Sequence, residues 1–389
     1  MHTHSDASIR VRPVLTSRDK RRFLDFPYTL YRSSPCWVPP LRRDQADALF
    51  GRNHPFFRHS RIVPFLAEDA AGRMLGRIAA IVNGMHLQRY GDGAGFFGFF
   101  ECVEREDVAA ALFDAAATSL RAEELTAMRG PANPSINDSS GLLVGGFDRT
   151  PSLLMPYNPP YYEELLVRHG FERVMTMWAY YGAAKHLDIR RLRRGVELAR
   201  KRLPGLSIRT PDMKRFIEEA LLMRRIYNEA FEGGWGHVPL TEDEFLYMAR
   251  SMRPILDPGI VFFLEHDGEP IGFSLSLPDI NPLLRHLPDG RLFPFGFLEL
   301  LARQRFGKPR EFRNLVLAIL PEYQRRGLDQ LLILSSIEEG SRHGYLAAEL
   351  SWVMDDNVVL KNGLERIGAV VDKEYAMFEK QLSDSSAPA

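Results

Sequence analysis

The sequence predicts an α/β fold with mixed sheets that is used twice along the chain. Both halves show the same order of periodic segments: strand, helix, strand hairpin, strand, helix, strand, helix and strand. The 389 residues are enough for two cores of ordinary size, and 45% apolar with 26% charged residues is typical of a globular protein. The two halves share few identical residues, so the repeat is one of element order.

The first half of the repeat covers residues 1–183. Two apolar segments flank the polar turn 68–72, which predicts a hairpin, and the aromatic run 96–100 predicts a buried strand. Apolar residues at helical spacing predict two helices in this half. The predicted strands are 62–66, 74–82, 96–100 and 173–181, and the predicted helices are 107–125 and 159–169.

The second half covers residues 206–382, and a short polar tail, 383–389, is expected to be disordered. A strong turn signal, Asp267-Gly268, predicts a hairpin in this half as well. The predicted strands are 206–209, 261–265, 271–277, 313–320, 346–354 and 372–379, and the predicted helices are 212–231, 328–343 and 357–367.

The segment 184–205 joins the two halves and is strongly basic. Residues 185–202 contain eight Lys or Arg against Asp188 and Glu197, and apolar residues recur at helical spacing. One interpretation is a solvated connector packed on one domain. The other is a basic amphipathic helix that makes a peripheral contact with anionic lipid headgroups or binds substrate phosphates.

Charge and cysteine content exclude several classes of protein. The 50 Lys and Arg balance the 50 Asp and Glu, so we expect no nucleic-acid partner. Cys36 and Cys102 are too few for a disulfide framework or a four-thiolate zinc site, and the eleven histidines show no metal-ligating spacing. With no signal peptide and no membrane-spanning apolar run, we expect a cytoplasmic protein without a metal, membrane-associated if the basic helix binds lipid.

An anion-binding corner is predicted where the strand 313–320 meets the helix 328–343. Arg325, Arg326 and Gly327 lie in the short connection that follows Pro321. The first N–H groups of a helix lack intrahelical partners and the helix dipole is positive there, so such a corner attracts a pyrophosphate. Gly327 allows the main chain to approach a ligand closely.

This corner, with the two elements that follow it, resembles the acyl-CoA-binding region of the GNAT acyltransferase superfamily. The shared features are Gln324-x-x-Gly327 before a helix, the strand that contains Glu349, and the helix headed by Asn357. The resemblance covers residues 206–382 and extends to the N-terminal half through element order alone. The whole chain is similar to the tandem GNAT proteins of bacteria, a group that includes peptidoglycan aminoacyl-transferases and bacterial ceramide synthases.

The resemblance implies two tandem GNAT-like domains with one acyl-CoA site, in the C-terminal domain. The N-terminal half lacks the loop, because its segment 102–107 is acidic and has no glycine. The sequence departs from the family at Asp329, where the family has Gly or Ala, and at Leu364, where the family often has a Tyr general acid. For Asn357, the alternative to a contact with acyl-CoA is that its side chain only caps the helix that it heads. The residues implied to contact acyl-CoA are Leu317, Ala318, Ile319, Gln324, Arg325, Arg326, Gly327, Leu328, Asp329 and Asn357.

Three residues are candidates for the chemistry. Glu349 is the first candidate for a general base, and strand alternation places it on one face with Ser351. Asn314 is a lone amide on an apolar strand and is expected to face the acyl-CoA cleft that the resemblance implies. The other interpretations are a solvated or ion-paired strand residue for Glu349 and a satisfied edge residue for Asn314.

Five residues are candidates for contact with an acceptor amine, which is expected to be a small-molecule or lipid-like substrate. For Trp235 and His237, the alternative to a contact with the acceptor is turn formation and core packing. For Tyr157, the alternative is a place in a rigid interdomain loop. We therefore expect an acyl-CoA-dependent N-acyltransferase, with a long-chain acyl group and a sphingoid-type amine as one version. The rivals are a simple acetyltransferase, an aminoacyl-tRNA-dependent transferase of the peptidoglycan type, and a non-catalytic acyl-CoA-binding module. The candidates are Trp235, His237, Asn133, Asn137 and Tyr157.

Overall fold

The structure is a computed structural model, and it describes residues 8–291 and 308–382. The tail 383–389, predicted to be disordered, lies outside these residues. The N-terminal half alternates strands and helices as expected. Its elements are β1 (Arg10–Pro13), α1 (Ser17–Leu30), α2 (Arg42–Phe50), β2 (Ser60–Glu68), β3 (Met74–Asn83), α3 (Gly84–Tyr90), β4 (Ala94–Cys102), α4 (Glu106–Arg121), β5 (Ala127–Gly130), β6 (Ala132–Asn133), β7 (Ser139–Ser140), β8 (Leu142–Gly145), α5 (Tyr161–Arg168) and β9 (Glu172–Ala183).

The linker and the C-terminal half repeat this order. The predicted basic linker forms a helix, and the predicted strands of this half are all present. The elements are α6 (Ile189–Arg202), β10 (Leu206–Arg209), α7 (Phe216–Ala230), α8 (Glu242–Met252), β11 (Phe262–His266), β12 (Glu269–Pro278), α9 (Asn281–Leu284), β13 (Glu311–Ile319), α10 (Asp329–Arg342), β14 (Ala347–Met354), α11 (Val358–Arg366) and β15 (Val370–Gln381).

Helix starts follow from local side-chain chemistry. Thr16 before α1 and Thr241 before α8 each form a capping box, with Asp19 and Glu244 as the reciprocal partners. At the hairpin between β11 and β12, Asp267 and Gly268 both have positive φ, as the predicted turn requires.

One continuous sheet runs through both halves. Its strand order is β1-β2-β3-β4-β5-β15-β9-β14-β13-β12-β11-β10, with β8 also paired to β15. The two halves exchange their last strands: β9 of the N-terminal half pairs with β14, and β15 of the C-terminal half pairs with β5. β9 and β15 also pair with each other in the middle of the sheet. The predicted domain limits at residues 183 and 206 stay a prediction, because strand pairing across the two halves does not define where one domain ends.

Each half has its own apolar core, and the linker helix belongs to the second. The first core packs α4 and α5 on the sheet and includes Phe378 from the exchanged strand β15. The second packs α7, α8 and α10 on β11–β13 and includes Ala199 from α6. Leu192 of α6 is also buried, against α10 and α11. Among the described residues, none of the helices has the length and apolar character needed to cross a bilayer.

Candidate active site

A cleft opens in the C-terminal half where two parallel strands separate. β13 and β14 pair from Glu311 with Ala347 to Asn314 with Leu350, and within the described residues the pairing stops there although both strands continue. Beyond this point, main-chain groups of β13 that point toward β14 are free to bind a ligand. Leu317 lines the cavity that results.

The predicted acyl-CoA contacts on β13 divide into two kinds. Leu317 lines the cavity directly. Ala318 and Ile319 have buried side chains in the second core, so a contact from these two residues goes through their main chain.

The anion-binding corner follows β13 directly. Arg325 and Gly327 both have positive φ, 58° and 74°, and they turn the chain before α10 begins at Asp329. A positive φ suits glycine and is costly for arginine, so the corner holds an unusual backbone conformation. Arg325 and Arg326 have exposed side chains, which place two positive charges at the corner.

Gln324 fixes this corner in place. Its side-chain amide donates to the carbonyl of Ile319 at 2.8 Å and to that of Ala230 at 3.2 Å. The corner is thereby tied both to the end of β13 and to the end of α7. Gln324 thus has a structural role that positions the loop.

Asp329 stands at the start of α10, where it departs from the family pattern. Burial raises the pKa of this carboxyl, while the main-chain N–H groups of Asp329 and Gln330 oppose the rise. Main-chain N–H groups at the helix start therefore lie near this carboxyl. Leu328 beside it is buried in the second core.

Glu349 is held in a buried pair of hydrogen bonds. Ser351 Oγ donates to Glu349 Oε1 at 2.7 Å, and Ser152 Oγ donates to Glu349 Oε2 at 2.9 Å. Burial alternates along β14, so Glu349 and Ser351 share the buried face, as strand alternation predicts. Glu349 is only 3% exposed, which makes it a buried carboxylate and not a solvated strand residue.

Arg313 supplies the positive charge next to this carboxylate. Its Nε donates to Ser351 Oγ at 2.8 Å, and its Nη atoms donate to the carbonyls of Leu153 and Ser351. Burial lowers the pKa of Arg313, and the charge of Glu349 acts against that shift. Ser351 Oγ therefore lies between a buried cation and a buried carboxylate.

Asn314 faces the cleft but already has partners. Its side-chain amide donates to Ser274 Oγ at 2.6 Å and to Ser276 Oγ at 3.0 Å. Asn357 also lines the cavity, and its side chain accepts the N–H of Leu360 at 3.2 Å as the cap of α11. Asn314 thus has its hydrogen bonds satisfied within the protein, and Asn357 caps a helix. For both residues, contact with a ligand stays a prediction.

The cleft opens into a cavity of about 2030 Å³ that is lined by both halves of the chain. Ser351, Trp352 and Arg313 lie on its wall, and Glu349 is positioned behind Ser351. Trp352 Nε1 is buried without a hydrogen-bond partner in the described part of the chain. A smaller cavity of about 70 Å³ lies against α10 and α11, and Asn314, Leu317 and Leu350 border both cavities.

Comparison with known proteins identifies the family. No protein-family model matches the chain. Protein YghO of Escherichia coli (strain K12) is 33% identical over 377 residues, which cover 96% of this chain and 95% of YghO. Bacterial ceramide synthase of Caulobacter vibrioides is 33% identical over 387 residues, which cover 97% of this chain and 99% of the relative.

A solved tandem GNAT protein from the clavulanic acid biosynthesis pathway has the same fold, with a TM-score of 0.57 at 13% identity over 97% of this chain and all of that chain. The chain belongs to the tandem GNAT proteins of bacteria. A GCN5-related N-acetyltransferase from Sphaerobacter thermophilus agrees, with a TM-score of 0.52 at 12% identity over 96% of both chains. The predicted fold of two tandem GNAT-like domains is thus confirmed.

In this tandem GNAT chain, the position of the family's frequent tyrosine acid lies in the core. Leu364 is 4% exposed and packs with Tyr180, Leu192 and Val353. Because an apolar side chain cannot exchange a proton, an acid at this position is excluded.

The predicted acceptor residues do lie on one surface, the wall of the large cavity. His237 is 6% exposed, and its Nε2 atom has no hydrogen-bond partner among the described residues. Burial lowers the pKa of His237 to about 4, so the ring is neutral at pH 7. Trp235 lines the same wall and packs near Trp352 and Tyr157.

Asn137 joins the two GNAT halves beside this histidine. Its Nδ2 donates to the carbonyl of Val238 at 2.9 Å, and its Oδ1 accepts the hydroxyl of Tyr227 at 3.0 Å. The neighbouring Asp138 lines the cavity, and burial raises its pKa to about 6. Asn133 also lines the cavity, but its Oδ1 is already bonded to the N–H of Phe99.

The N-terminal GNAT half has a corresponding cleft, and tyrosines fill it. β4 and β5 pair over three residues, from Ala94 with Ala127 to Phe96 with Arg129. Past that point Tyr162 Oη accepts the N–H of Cys102 at 2.7 Å, and Tyr161 Oη donates to the Cys102 carbonyl at 2.7 Å. The main chain of Cys102, at the end of β4, is therefore occupied by the two tyrosine hydroxyls.

Three polar residues of the site were not among the sequence candidates. Arg313, on β13, donates to Ser351, and Ser152, in a loop of the N-terminal half, donates to Glu349. The third residue is Asp138, which lines the cavity next to Asn137. An arginine within the otherwise apolar strand 313–320 is a signal that sequence reasoning can use. Ser152 carries no such signal, because its approach depends on how the two halves dock.

Proposed function

We propose that the protein is an acyl-CoA-dependent N-acyltransferase with a single active centre in its C-terminal half. The observation that carries the proposal is the position of the Glu349–Ser351 pair on β14, where this strand separates from β13 and Ser351 lies on the wall of a large cavity. A GNAT fold with this arrangement supports transfer of an acyl group from a thioester to an amine.

The residues around the cleft fit an acyl-CoA. The free main-chain edge of β13 suits the amide groups of pantetheine, and the corner at Gly327 with Arg325 and Arg326 suits the diphosphate. The unpartnered Trp352 Nε1 is a buried donor awaiting an acceptor. When bound, the thioester supplies an electrophilic carbonyl carbon.

Ser351 and Glu349 are the groups we assign to proton transfer. Ser351 Oγ faces the cavity and receives a proton from the attacking amine, while its own proton passes to Glu349 Oε1 over 2.7 Å. A C–N bond forms, the C–S bond breaks, and the proton ends on the departing sulfur. Arg313 holds the Ser351 hydroxyl in place at 2.8 Å.

The acceptor enters from the side of the cavity formed by both halves. Asn137, Asp138 and His237 provide polar groups there, and Trp235, Tyr157 and Trp352 provide apolar surface. The volume of about 2030 Å³ exceeds the roughly 300–1,000 Å³ of most small-molecule sites. This size, and the similarity to the bacterial ceramide synthase of Caulobacter vibrioides, support a long-chain acyl group and an amphiphilic amine of the sphingoid type.

The test is a pair of titrations followed by turnover. Isothermal titration with acetyl-CoA and palmitoyl-CoA should show binding, with the long-chain thioester tighter. Incubation of palmitoyl-CoA with sphinganine should then give the amide and free CoA by mass spectrometry. Binding without turnover of any offered amine would favour a non-catalytic acyl-CoA-binding module. Absence of binding by both thioesters would overturn the proposal and leave an aminoacyl-tRNA-dependent transferase.

A further inference from the structure

The linker helix α6 has an unusual concentration of exposed charge. Residues 185–202 carry eight basic side chains against two acidic ones, a net charge of +6 in a chain whose overall charge is zero. All eight basic residues are exposed. Within the described residues, Arg193 alone among them forms an ion pair, with Glu338 at 2.9 Å. The segment therefore presents its charge to whatever lies outside the protein.

The packing of α6 fixes which face looks outward. Leu192 and Ala199 are 3% exposed and attach one side of the helix to the C-terminal half. At 3.6 residues per turn, the opposite side carries Arg190, Arg194 and Lys201 in one row. Leu198, 53% exposed, stands beside that row. The outward face thus combines a row of cations with an exposed apolar side chain.

Exposed apolar residues also surround the start of this helix. Leu346 and Val370 are each 57% exposed, and Val371 is 46% exposed. They adjoin the segment before α6, because the Ala184 N–H donates to the Leu346 carbonyl at 2.8 Å and the Asp188 N–H to the Ile367 carbonyl at 2.8 Å. Mixed cationic and apolar surfaces of this kind suit the headgroup region of an anionic bilayer.

The helix α6 also lies next to the anion-binding corner at Gly327. The side chain of Gln330, in the first turn of α10, lies against both Gly195 of α6 and Gly327 of the corner. Val358 and Val359, at the start of α11, are 56% and 67% exposed beside the cavity-lining Asn357. A membrane contact through α6 therefore brings the cleft close to the lipid surface.

We propose that the outward face of α6, together with Leu346 and Val371, docks the protein on an anionic lipid bilayer. Arg190, Arg191, Arg194 and Lys201 bind headgroup phosphates, and Leu198 inserts among them. The contact does not depend on the proposed acyl transfer, so each can fail without the other. It explains why a connector between two domains concentrates cations instead of pairing them.

The experiment is sedimentation of the full chain with vesicles of phosphatidylcholine, pure or with about 30% phosphatidylglycerol. Binding should require the anionic lipid and should weaken as salt rises from about 0.1 M to 0.5 M. The combined change Arg190→Gln, Arg191→Gln, Arg194→Gln and Lys201→Gln should lower the partition coefficient by about 100-fold, at roughly one tenfold step or less per cation. Leu198→Ala should lower it by about 3-fold.

The control variant changes four exposed arginines elsewhere, by Arg10→Gln, Arg18→Gln, Arg32→Gln and Arg225→Gln, and should retain the binding of the parent protein. Equal loss in both variants would reduce the effect to net charge and overturn the proposal. Weaker palmitoyl-CoA binding in the α6 variant, with vesicle binding unchanged, would assign the helix to the donor's phosphates instead. Turnover of a water-soluble substrate pair without vesicles should be the same in all variants.

Discussion

The two halves of the chain contain the same pair of parting parallel strands, and they treat it in opposite ways. In the N-terminal half, Tyr161 and Tyr162 at the start of α5 bind the main chain of Cys102. In the C-terminal half, α11 starts with Val358 and Val359, which leave their cleft open. Duplication of a fold thus leaves one open cleft and one in which tyrosine hydroxyls occupy main-chain groups.

The connections after the first strand of each pair differ in the same sense. The C-terminal half has Gly327 with positive φ and two exposed arginines. The N-terminal half has an acidic turn, in which Arg105 is paired with Asp107. Charge and hydrogen bonding therefore agree with the proposal that the C-terminal half receives the diphosphate. Five changes test this contrast.

The largest effect is expected from Glu349→Gln in the open half. The amide cannot accept a proton through Ser351, so kcat should fall by about 1,000-fold while palmitoyl-CoA affinity is unchanged. Steady-state kinetics and titration measure the two quantities. Glu101→Gln, a half-buried carboxylate of the filled half, is the control and should lower stability with little change in kcat. Unchanged turnover in Glu349→Gln would remove this residue as the base.

Gly327→Val should weaken donor binding next. A β-branched residue is strained at a φ of 74°, so the corner must rearrange and acyl-CoA affinity should fall by about 30-fold. Titration with palmitoyl-CoA measures this loss. Gly91→Val, at a φ of 58° in the other half, carries similar strain away from the cleft and should leave the affinity as it was. Equal losses would show that the corner does not hold the donor.

Tyr162→Phe tests the filled half. The change removes the acceptor for the Cys102 N–H and a donor to Glu101, so the free energy of unfolding should fall by about 2 kcal/mol. Denaturant unfolding measures the loss. Acyl-CoA affinity should not change, and a gain of a second binding site would contradict the view that this cleft is only structural.

Val359→Tyr attempts the reverse, by placing in the open half the residue type that fills the other. A tyrosine at the start of α11 should compete for the main chain of the cleft and lower acyl-CoA affinity by about 10-fold. Val371→Tyr is a matched control at an exposed valine outside the cleft. Full donor affinity in Val359→Tyr would mean that the two helix starts are not equivalent.

The smallest effect concerns the buried histidines. His86 Nε2 bonds to Asp92 at 3.1 Å, whereas His237 Nε2 lacks a partner in the described residues. The pKa of His237 is lowered to about 4 in the folded state, so the unfolded state binds more protons and stability falls as pH decreases from about 6.5 toward 4.

Between pH 7 and 6 this single group should cost about 0.7 kcal/mol of stability. Denaturant unfolding at pH 7 and pH 6 measures this term. The free energy of unfolding of His237→Gln should fall by about 0.7 kcal/mol less between the two pH values than that of the parent protein. An identical slope in the variant would place the protonation elsewhere.

Much of the second half could be predicted from local sequence. The corner at Gly327, the strand alternation that pairs Glu349 with Ser351, and the basic helix all depend on residues close in the chain. Such features follow from backbone geometry and periodicity. The helices α1, α2 and α8 were not predicted, and the first of them has Pro27 in its interior, a residue that argues against a helix.

Long-range features could not be predicted. Ser152 reaches Glu349 from 197 positions away, and Asn137 meets Val238 only after the halves dock. Whether a cleft is open depends on Tyr161 and Tyr162, whose sequence context also suits a rigid loop before a helix. A single sequence carries the propensity of each segment but not the pairing between distant ones.

The exchange of β9 and β15 has a consequence for how the chain is made. The sheet of the first half is completed by Val370–Gln381, the last strand in the sequence. During synthesis the leading half therefore keeps an unsatisfied sheet edge until Val370–Gln381 has left the ribosome. A gene cut at the linker would yield two fragments, each missing a strand that only the other can donate, and their recovery as a functional pair would depend on mutual complementation.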